Sequence, residues 1–568
     1  MKRDLDNIAS QNFDVLVIGG GIHGAAIARE TALAGLKTAL IEKKDFSHAT
    51  SSNSLKIIHG GLRYLQHLNI KRMRESIKSR RAMMRFAPHL VKPLACIMPT
   101  YGHGLKGREI MRVALFVNDI ISHDRNCSLD PEVHLPAGKI ISQEMCLKMI
   151  PEISRERLNG AGLWYDAIAI NTERLSLSFI HEAADNGACI ANYLETIDLN
   201  IQNKQIKGIL AHDIITGKQF EIKSKIVVNV AGPWLDKILS FLSGQNKEPQ
   251  LWARGINIIV RKKMFSDIAV GLEGRQTYID NDAVLKKGNR LYFFVPWRGY
   301  TMIGTEYKHY QGNPDNFKIE LDDIIEFIEE INTIYPPAKL SLGDVTFFHA
   351  GLLPMSKSSK IVESDVQLEK NSKLIDHEKT DSIRGLISVK GVKYTTAPQT
   401  ASDVKNLISR YINLAVQATP LPKRRSDNNI TDQVCKKTIS GNNLTNMDKI
   451  VRHLKFNYGH QHKRILQFAV KTSCSSDWIS NDPPVTVMEI LYSIRKEMAL
   501  SLSDIIFRRT VLGTAECPSK KIIDCVADIT AKELNWSSAN KLKQIKDVYK
   551  HYLPLKVINN NRLGLNLV

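Results

Sequence analysis

Apolar residues along the chain fall into segments of different period, and the first segment carries the most information. Val15 to Ile18 is an unbroken apolar run that ends at Gly19, Gly21 and Gly24. Beyond the glycines, Ala25, Ala28 and Ala32 recur at helical spacing, with Arg29 and Glu30 among them. Gly35 then supplies a C-terminal stop, and a second apolar run ends at Glu42. Phe13 to Glu42 therefore reads as strand, tight turn, helix and second strand. Such a unit uses its glycines for the turn, for backbone room beside a pyrophosphate and for close helix–strand packing, with the phosphates on the helix N-terminus. Glu42 lies 21 residues beyond Gly21, close to the roughly 20 at which a carboxylate meets an adenosine ribose. The pattern predicts dinucleotide binding by Gly19, Gly21, Gly24 and Glu42. The competing reading is a glycine turn kept for packing alone.

Two later segments repeat the passage from strand to turn. Ile226 to Trp234 (IVVNVAGPW) brings an apolar run to Ala231, Gly232 and Pro233. Leu386 to Thr396 (LISVKGVKYTT) breaks at Gly391 and predicts a helix from Thr395 towards Ile408. Between them, alternating stretches such as Asn289 to Ile303 read as antiparallel strands. This is the pattern of a nucleotide-binding domain interrupted by a β-rich insertion. Ala418 to Asp432, with Pro420, Pro422 and Lys423 to Arg425, reads as a polar linker. Beyond it, Asp448 to Phe456, Val487 to Ala499 and Ser538 to Tyr552 have helical spacing. The fold class is α/β: a Rossmann-like domain interrupted by an antiparallel β-rich domain, followed by an all-α C-terminal domain.

Composition narrows the function classes. The 568 residues are 43% hydrophobic and carry a net charge of +20, enough chain for several cores and a surplus that favours anionic partners. Nucleic acid is excluded as the expected partner, because zinc-finger spacing, an RNP-like strand and a compact basic domain are all missing. Eight cysteines are scattered without a CxxC pair, which argues for free thiols in a reducing compartment. The N-terminal segment has no apolar core of a secretory signal, and no stretch reaches the 18 or so apolar residues of a membrane span. The expected location is cytoplasmic or peripheral on the inner face of the cell membrane. Leu65 to Arg85 reads as a basic amphipathic helix with two uses, contact with anionic lipid or a solvated face over a Met/Ile core stripe. No His/Asp/Glu cluster has metal-ligand spacing, so no metal is expected.

Ala49 to Tyr64 (ATSSNSLKIIHGGLRY) is dense in unlike polar groups. Hydride abstraction from a carbinol needs a base for the hydroxyl proton and a cation for a developing oxyanion or a substrate anion. His59 and Arg63 offer both, with the Tyr64 phenol beside them. Taken alone, His59 is also compatible with a structural role.

The run ATSSNSLKIIHGGLRYLQ, the segment VVNVAGPW, the segment SVKGVKYTT and the C-terminal Glu497 to Gly513 (EMALSLSDIIFRRTVLG) together resemble the FAD-dependent glycerol-3-phosphate dehydrogenase/oxidase family, a branch of the flavoproteins built like D-amino acid oxidase. The resemblance covers about residues 12 to 550. It implies FAD held by Gly19, Gly21, Gly24, Glu42, Thr50 and Ser51, approached by Ala231 and Gly232, with Gly391 and Thr395 beside the flavin ring. By the same resemblance His48 and His59 lie near the ring, and the cofactor is expected to be non-covalent. The resemblance implies a catalytic His59 acting as base, with Arg63 and Lys393 on the anion or oxyanion, and substrate contacts from Arg63, Tyr64, Arg254 and Lys393. The reaction it implies is oxidation of sn-glycerol 3-phosphate to dihydroxyacetone phosphate, with electrons passed to membrane quinone or to O₂. Trp164, Tyr165 and Asp166 match a region at the edge of the family site or serve as domain packing. The implied domains are 12–95, 160–250 and 346–415 for FAD, 96–159 and 251–345 for substrate, and 433–553 for the helical unit.

One departure bears on the substrate. Where the family has an arginine in a GxRP-type turn, HAGLLPM places Leu353, and a second arginine downstream is missing around Glu363. A charged hydrogen bond is worth about 1.5 to 3 kcal/mol. Either basic residues such as Arg254 or Arg298 compensate, or the scaffold acts on a different hydroxyl or amine substrate. A non-catalytic flavin module is the reading that His59, Arg63 and Lys393 together oppose.

Overall fold

The computed structural model describes residues 1–104, 107–242, 250–279, 287–356, 366–412 and 444–556. The expected linker at 418–432, Cys435 and the stretch around Glu363 lie outside these residues.

An eight-stranded sheet is built on the opening unit. Strand Asn12–Ile18 pairs in parallel with Thr38–Ile41 on one side and Gln219–Asn229 on the other; Cys189–Ala191 and Leu386–Lys390 extend the parallel order outward. The three strands of the first unit and of IVVNVAGPW are buried along their inner ends, as fits a sheet covered on both faces. The helix Ile22–Leu33 stops two residues before Gly35, whose N–H reaches the carbonyl of Ala32. The third signal is a strand, Leu386–Lys390, followed by a 3-10 turn at Tyr394–Thr396 and the helix Ala397–Ile412.

A second, nine-stranded sheet contains the predicted antiparallel strands. Lys287–Trp297 and Tyr300–Tyr310 form a hairpin, and Tyr300–Tyr310 joins Trp252–Val260, which pairs in turn with Val345–Pro354. The helix Leu321–Ile334 shares one apolar core with this sheet through Ile324, Phe327, Ile328 and Ile331. The C-terminal unit contains the helices Leu444–Tyr458, His462–Thr472, Val487–Glu497, Lys520–Glu533 and Ser538–Lys550. It also contains a short two-stranded ribbon, Trp478–Asn481 with Pro484–Thr486, which helical spacing does not reveal.

The basic helix is shorter than its spacing predicts. Leu62–His67 is a 3-10 turn, Leu68 is left-handed (φ 51°), and the helix proper runs Ile70–Phe86, with the Asn69 side chain capping the N–H of Arg72. An asparagine cap satisfies a first-turn donor and so fixes the start. Met73, Ile77, Met83 and Met84 are buried, as the core-stripe reading of this helix expects, whereas Ile70 in its first turn is exposed.

Candidate active site

A cavity of about 990 Å³ lies where the strand ends of the first sheet meet the second sheet. Its floor is made by the glycines. Gly19 has φ +111°, a backbone that L side chains rarely adopt, and a Cβ at Gly24 would stand 1.8 Å from the Gly19 carbonyl oxygen. Gly24 therefore does not line the cavity; it lets the helix sit directly on the turn so that its N-terminus opens beside Gly19 and Gly21. Glu42 is buried and accepts from the backbone N–H of Gly20 at 2.7 Å and of Lys44 at 2.9 Å; burial raises its pKa. Ser51 Oγ accepts from the N–H of Ile22 at 3.0 Å, and Thr50 Oγ1 donates to the Leu352 carbonyl at 2.9 Å. These contacts tie the loop after the second strand to the helix N-terminus and to the second sheet. A glycine-lined floor, a helix N-terminus and a buried carboxylate fit an adenine dinucleotide, whose pyrophosphate needs donors and whose ribose needs an acceptor.

The same loop is gripped from behind. Asp45 is buried and paired with Arg508 at 2.6 Å and with Arg509 at 2.7 Å, which holds its carboxyl below the usual range against the opposing effect of burial. Both arginines belong to the C-terminal signature, so that motif docks the helical unit on the cofactor loop.

Across the cavity, Gly19, Gly21, Glu42, Thr50, Ser51, His59, Arg63, Tyr64, Ala231, Gly232, Gly391, Lys393 and Thr395 all contribute to the wall. His59 sits on the turn before Gly60, whose N–H donates to Asp166 at 2.5 Å; Asp166 also receives Arg80 and the Trp164 indole at 3.1 Å. Asp166 is thus an anchor for the turn that carries His59. Burial first, and then Lys393, Arg63, Arg72 and Arg80, drives the His59 pKa well below the ordinary imidazole value, so the ring is neutral at pH 7. Lys393 donates to the Tyr64 hydroxyl, and its ammonium lies 4.0 Å from the Tyr64 ring centroid. Burial, reinforced by Arg72 and Arg63, lowers the Lys393 pKa to about 6. His48, also on the wall, is pushed down to about 3, chiefly by burial.

Two basic residues offered as substitutes for the missing arginine face elsewhere. Arg254 points to the opposite side of its strand, where both guanidinium nitrogens bond Asp323 of the helix Leu321–Ile334. Arg298 reaches Thr514 at 3.4 Å. Neither is part of the cavity wall, whereas Leu353 is. Conversely, the sequence reading passed over His23, Lys56 and Arg72, which are on the wall. His23 occupies a variable position of the glycine motif. Lys56 is buried against Ser52, Thr172 and Glu173. Arg72 lies in a helix whose many charges read as solvated surface.

A family model described as FAD dependent oxidoreductase matches residues 14–381, and one described as the C-terminal domain of alpha-glycerophosphate oxidase matches residues 425–541. The glycerol-3-phosphate dehydrogenase of Synechocystis sp. is 30% identical over 525 residues, 90% of this chain and 91% of that protein. The aerobic glycerol-3-phosphate dehydrogenase of Staphylococcus epidermidis is 26% identical over 572 residues, 96% of each. In fold, the chain is similar to the crystal structure of glycerol-3-phosphate dehydrogenase from Bacillus halodurans complexed with FAD, with a TM-score of 0.70 at 21% identity over 97% of this chain and 96% of that one.

Proposed function

From the premise that the chain belongs to the FAD-dependent oxidoreductase family, we propose that it oxidises sn-glycerol 3-phosphate to dihydroxyacetone phosphate and passes the electrons to a membrane quinone. The observation that carries this reading is the juxtaposition of a neutral, half-buried base, His59, with Arg63 and Lys393 across from a glycine-lined dinucleotide floor. FAD bound on Gly19, Gly21, Glu42 and Ser51 supplies the two-electron acceptor. The chain supplies the rest. An imidazole nitrogen of His59 takes the hydroxyl proton of the substrate as its C–O bond becomes a carbonyl, while Arg63 holds the anionic end and Lys393, which the bound anion keeps protonated, supports the anion or the oxygen. The approach of a phosphate dianion offsets part of the positive field on His59, so the base strengthens when substrate is in place.

The proposed acceptor and membrane contact are supported by the helix Arg108–Ile121. Ile110, Val113, Phe116 and Ile120 are exposed on this helix together with Arg108 and Arg112, and Leu68, Ile70 and Lys71 are exposed on the turn-and-helix segment it packs against. Exposed apolar side chains among basic ones suit an anionic lipid surface. Ile110, Met111 and Ala114 of this helix also line the cavity, which gives a lipophilic acceptor a short approach. Among the described residues, no helix is long and apolar enough to cross a membrane.

Leu353 on the cavity wall is the observation that favours the second reading, a different hydroxyl or amine substrate. Anaerobic mixing of the flavin-loaded protein with sn-glycerol 3-phosphate decides between them. Bleaching of the oxidised flavin by the phosphate ester and not by glycerol is the expected result. A flavin that stays oxidised, above all one that Leu353→Arg makes reducible, would overturn the first reading.

A further inference from the structure

The cavity wall beyond Glu42 carries a polar atom without a partner. Thr196 is 3% exposed and lines the cavity, and its Oγ1 makes no hydrogen bond. A buried hydroxyl left unpaired costs stability, so its place in a wall points to a ligand atom. Its surroundings say which part of a dinucleotide that atom belongs to. The N–H of Leu194 donates to the carbonyl of Glu42 at 2.8 Å, so the strand Leu194–Gln202 starts beside the carboxylate that suits the ribose. Leu194 and Ile238 are buried in the same wall, and Trp234 adds an aromatic ring. Apolar and aromatic sides with one free hydroxyl suit a flat base, whose faces are apolar and whose edge is polar.

Three residues from distant parts of the chain join at this end of the cavity. Asp315 sits on the 3-10 turn Pro314–Asn316, between the second sheet and the helix Leu321–Ile334. One of its oxygens accepts from the Lys43 ammonium at 2.5 Å and from the Trp234 indole N–H at 2.9 Å. The ammonium also lies 4.0 Å from the Trp234 ring centroid, so cation, indole and carboxylate hold one another. Lys43 and Trp234 line the cavity, whereas Asp315 does not, and its side chain is 38% exposed. Asp315 therefore fastens the wall from the solvent side. The Asn313 side chain accepts from the N–H of Asp315 at 2.9 Å and sets the turn that carries it.

We propose that Lys43, Trp234 and Asp315 form a clasp over the adenosine end of the cofactor site, with the Thr196 hydroxyl on the edge of the base, and that the clasp opens to admit and release the dinucleotide. The inference rests on the placement of the ribose at Glu42 and on no property of the substrate.

The test follows FAD release, by flavin fluorescence, from loaded protein diluted into excess ADP, which carries the adenosine and pyrophosphate and blocks rebinding. Loss of charge-assisted bonds at a partly exposed site predicts release about 3- to 30-fold faster in Asp315→Asn and in Lys43→Met, and no faster still in the double variant. Release from the unaltered protein should quicken with ionic strength more steeply than release from Asp315→Asn; a merely structural role for Asp315 would lower Tm and leave that slope as it was. Thr196→Val should release FAD about 3- to 10-fold faster with the slope retained. Rates within about twofold of the original in Asp315→Asn and Lys43→Met would overturn the clasp, and an unaltered rate in Thr196→Val would overturn the base contact. If Asp315→Asn does not hold flavin, Trp234→Phe, which keeps the ring and loses the donor, decides: faster release supports the clasp and an unaltered rate overturns it. Glu42→Gln separates the clasp from the placement beneath it. Faster release there with unaltered clasp variants sinks the clasp alone; no change in any of them sinks the ribose placement too.

Discussion

In Gly24→Ala the added Cβ would stand 1.8 Å from the Gly19 carbonyl oxygen and 3.0 Å from its carbon, where ordinary contact begins at 3.4 Å. Both partners are backbone, so no rotamer relieves the overlap; the helix Ile22–Leu33 must withdraw from the turn by roughly 1.5 Å, which breaks close packing along the first strand. Overpacking of this kind costs about 3 kcal/mol, at the upper end of the usual range. The withdrawn helix also carries its N-terminal donors away from the pyrophosphate, so the stabilisation that bound FAD gives the folded state is lost as well. Gly21→Ala separates the two effects. There the nearest atom is Ser51 Oγ at 3.0 Å, a side chain that can turn, so the fold tolerates the methyl while the pyrophosphate does not. The assay is Tm of the flavin-free proteins together with the flavin retained after gel filtration. Gly24→Ala should lose both Tm and flavin, and Gly21→Ala should lose flavin with an unshifted flavin-free Tm. An unshifted flavin-free Tm for Gly24→Ala would refute the packing argument.

Other consequences are equally open to measurement. Arg254→Gln takes the bidentate partner from the carboxylate of Asp323 and leaves it Lys308 at 3.5 Å and the N–H of Glu320, which should cost about 1 to 2 kcal/mol in denaturant unfolding while KM and kcat for flavin reduction stay within about twofold. Lys393 faces Arg63, Arg72, His59, Tyr64 and Glu75, and its pKa of about 6 is raised when an anion binds. Phosphate affinity is therefore full below pH 6 and falls as pH rises through 6, by up to about tenfold per unit; Lys393→Met should remove that slope, leaving only the ionisation of phosphate itself. Phe116→Glu, on the exposed stripe and away from the cavity wall, should abolish co-sedimentation with anionic vesicles and leave anaerobic flavin reduction unaltered; retained co-sedimentation would refute the docking face.

Much of this was readable in the sequence, and the reasons differ by residue. Gly19, Gly21, Gly24 and Glu42 are legible because one continuous segment builds strand, turn and helix, so spacing along the chain equals spacing in the fold. The turns at Ala231 and Gly391 are legible as apolar runs that break, yet their meeting at one cavity depends on the parallel register of Gln219–Asn229 with both Asn12–Ile18 and Leu386–Lys390. The direction of Arg254 was not legible: on a strand one residue decides the face, and a helix from farther along the chain supplies Asp323. Arg72 was hidden for a related reason. Its helix carries charge on every side, and only the 3-10 turn, the left-handed Leu68 and the asparagine cap set which of those charges turns inward. The stripe on Arg108–Ile121 has helical spacing throughout, but an apolar stripe denotes a core until the fold leaves it uncovered.

The loop from Glu42 to Ser51 is held on one side by the contacts that shape the dinucleotide floor and on the other by Arg508 and Arg509 through Asp45. A segment fastened at two sites couples them: ordering it for one ligand lowers the entropic cost of ordering it for the other, and the coupling free energy is the same in both directions. The helical unit is therefore a reporter and a guarantor of cofactor occupancy. Filling the floor strengthens its seat on the Rossmann-like domain, and loosening that seat releases the cofactor, although no residue of the docking pair lines the cavity.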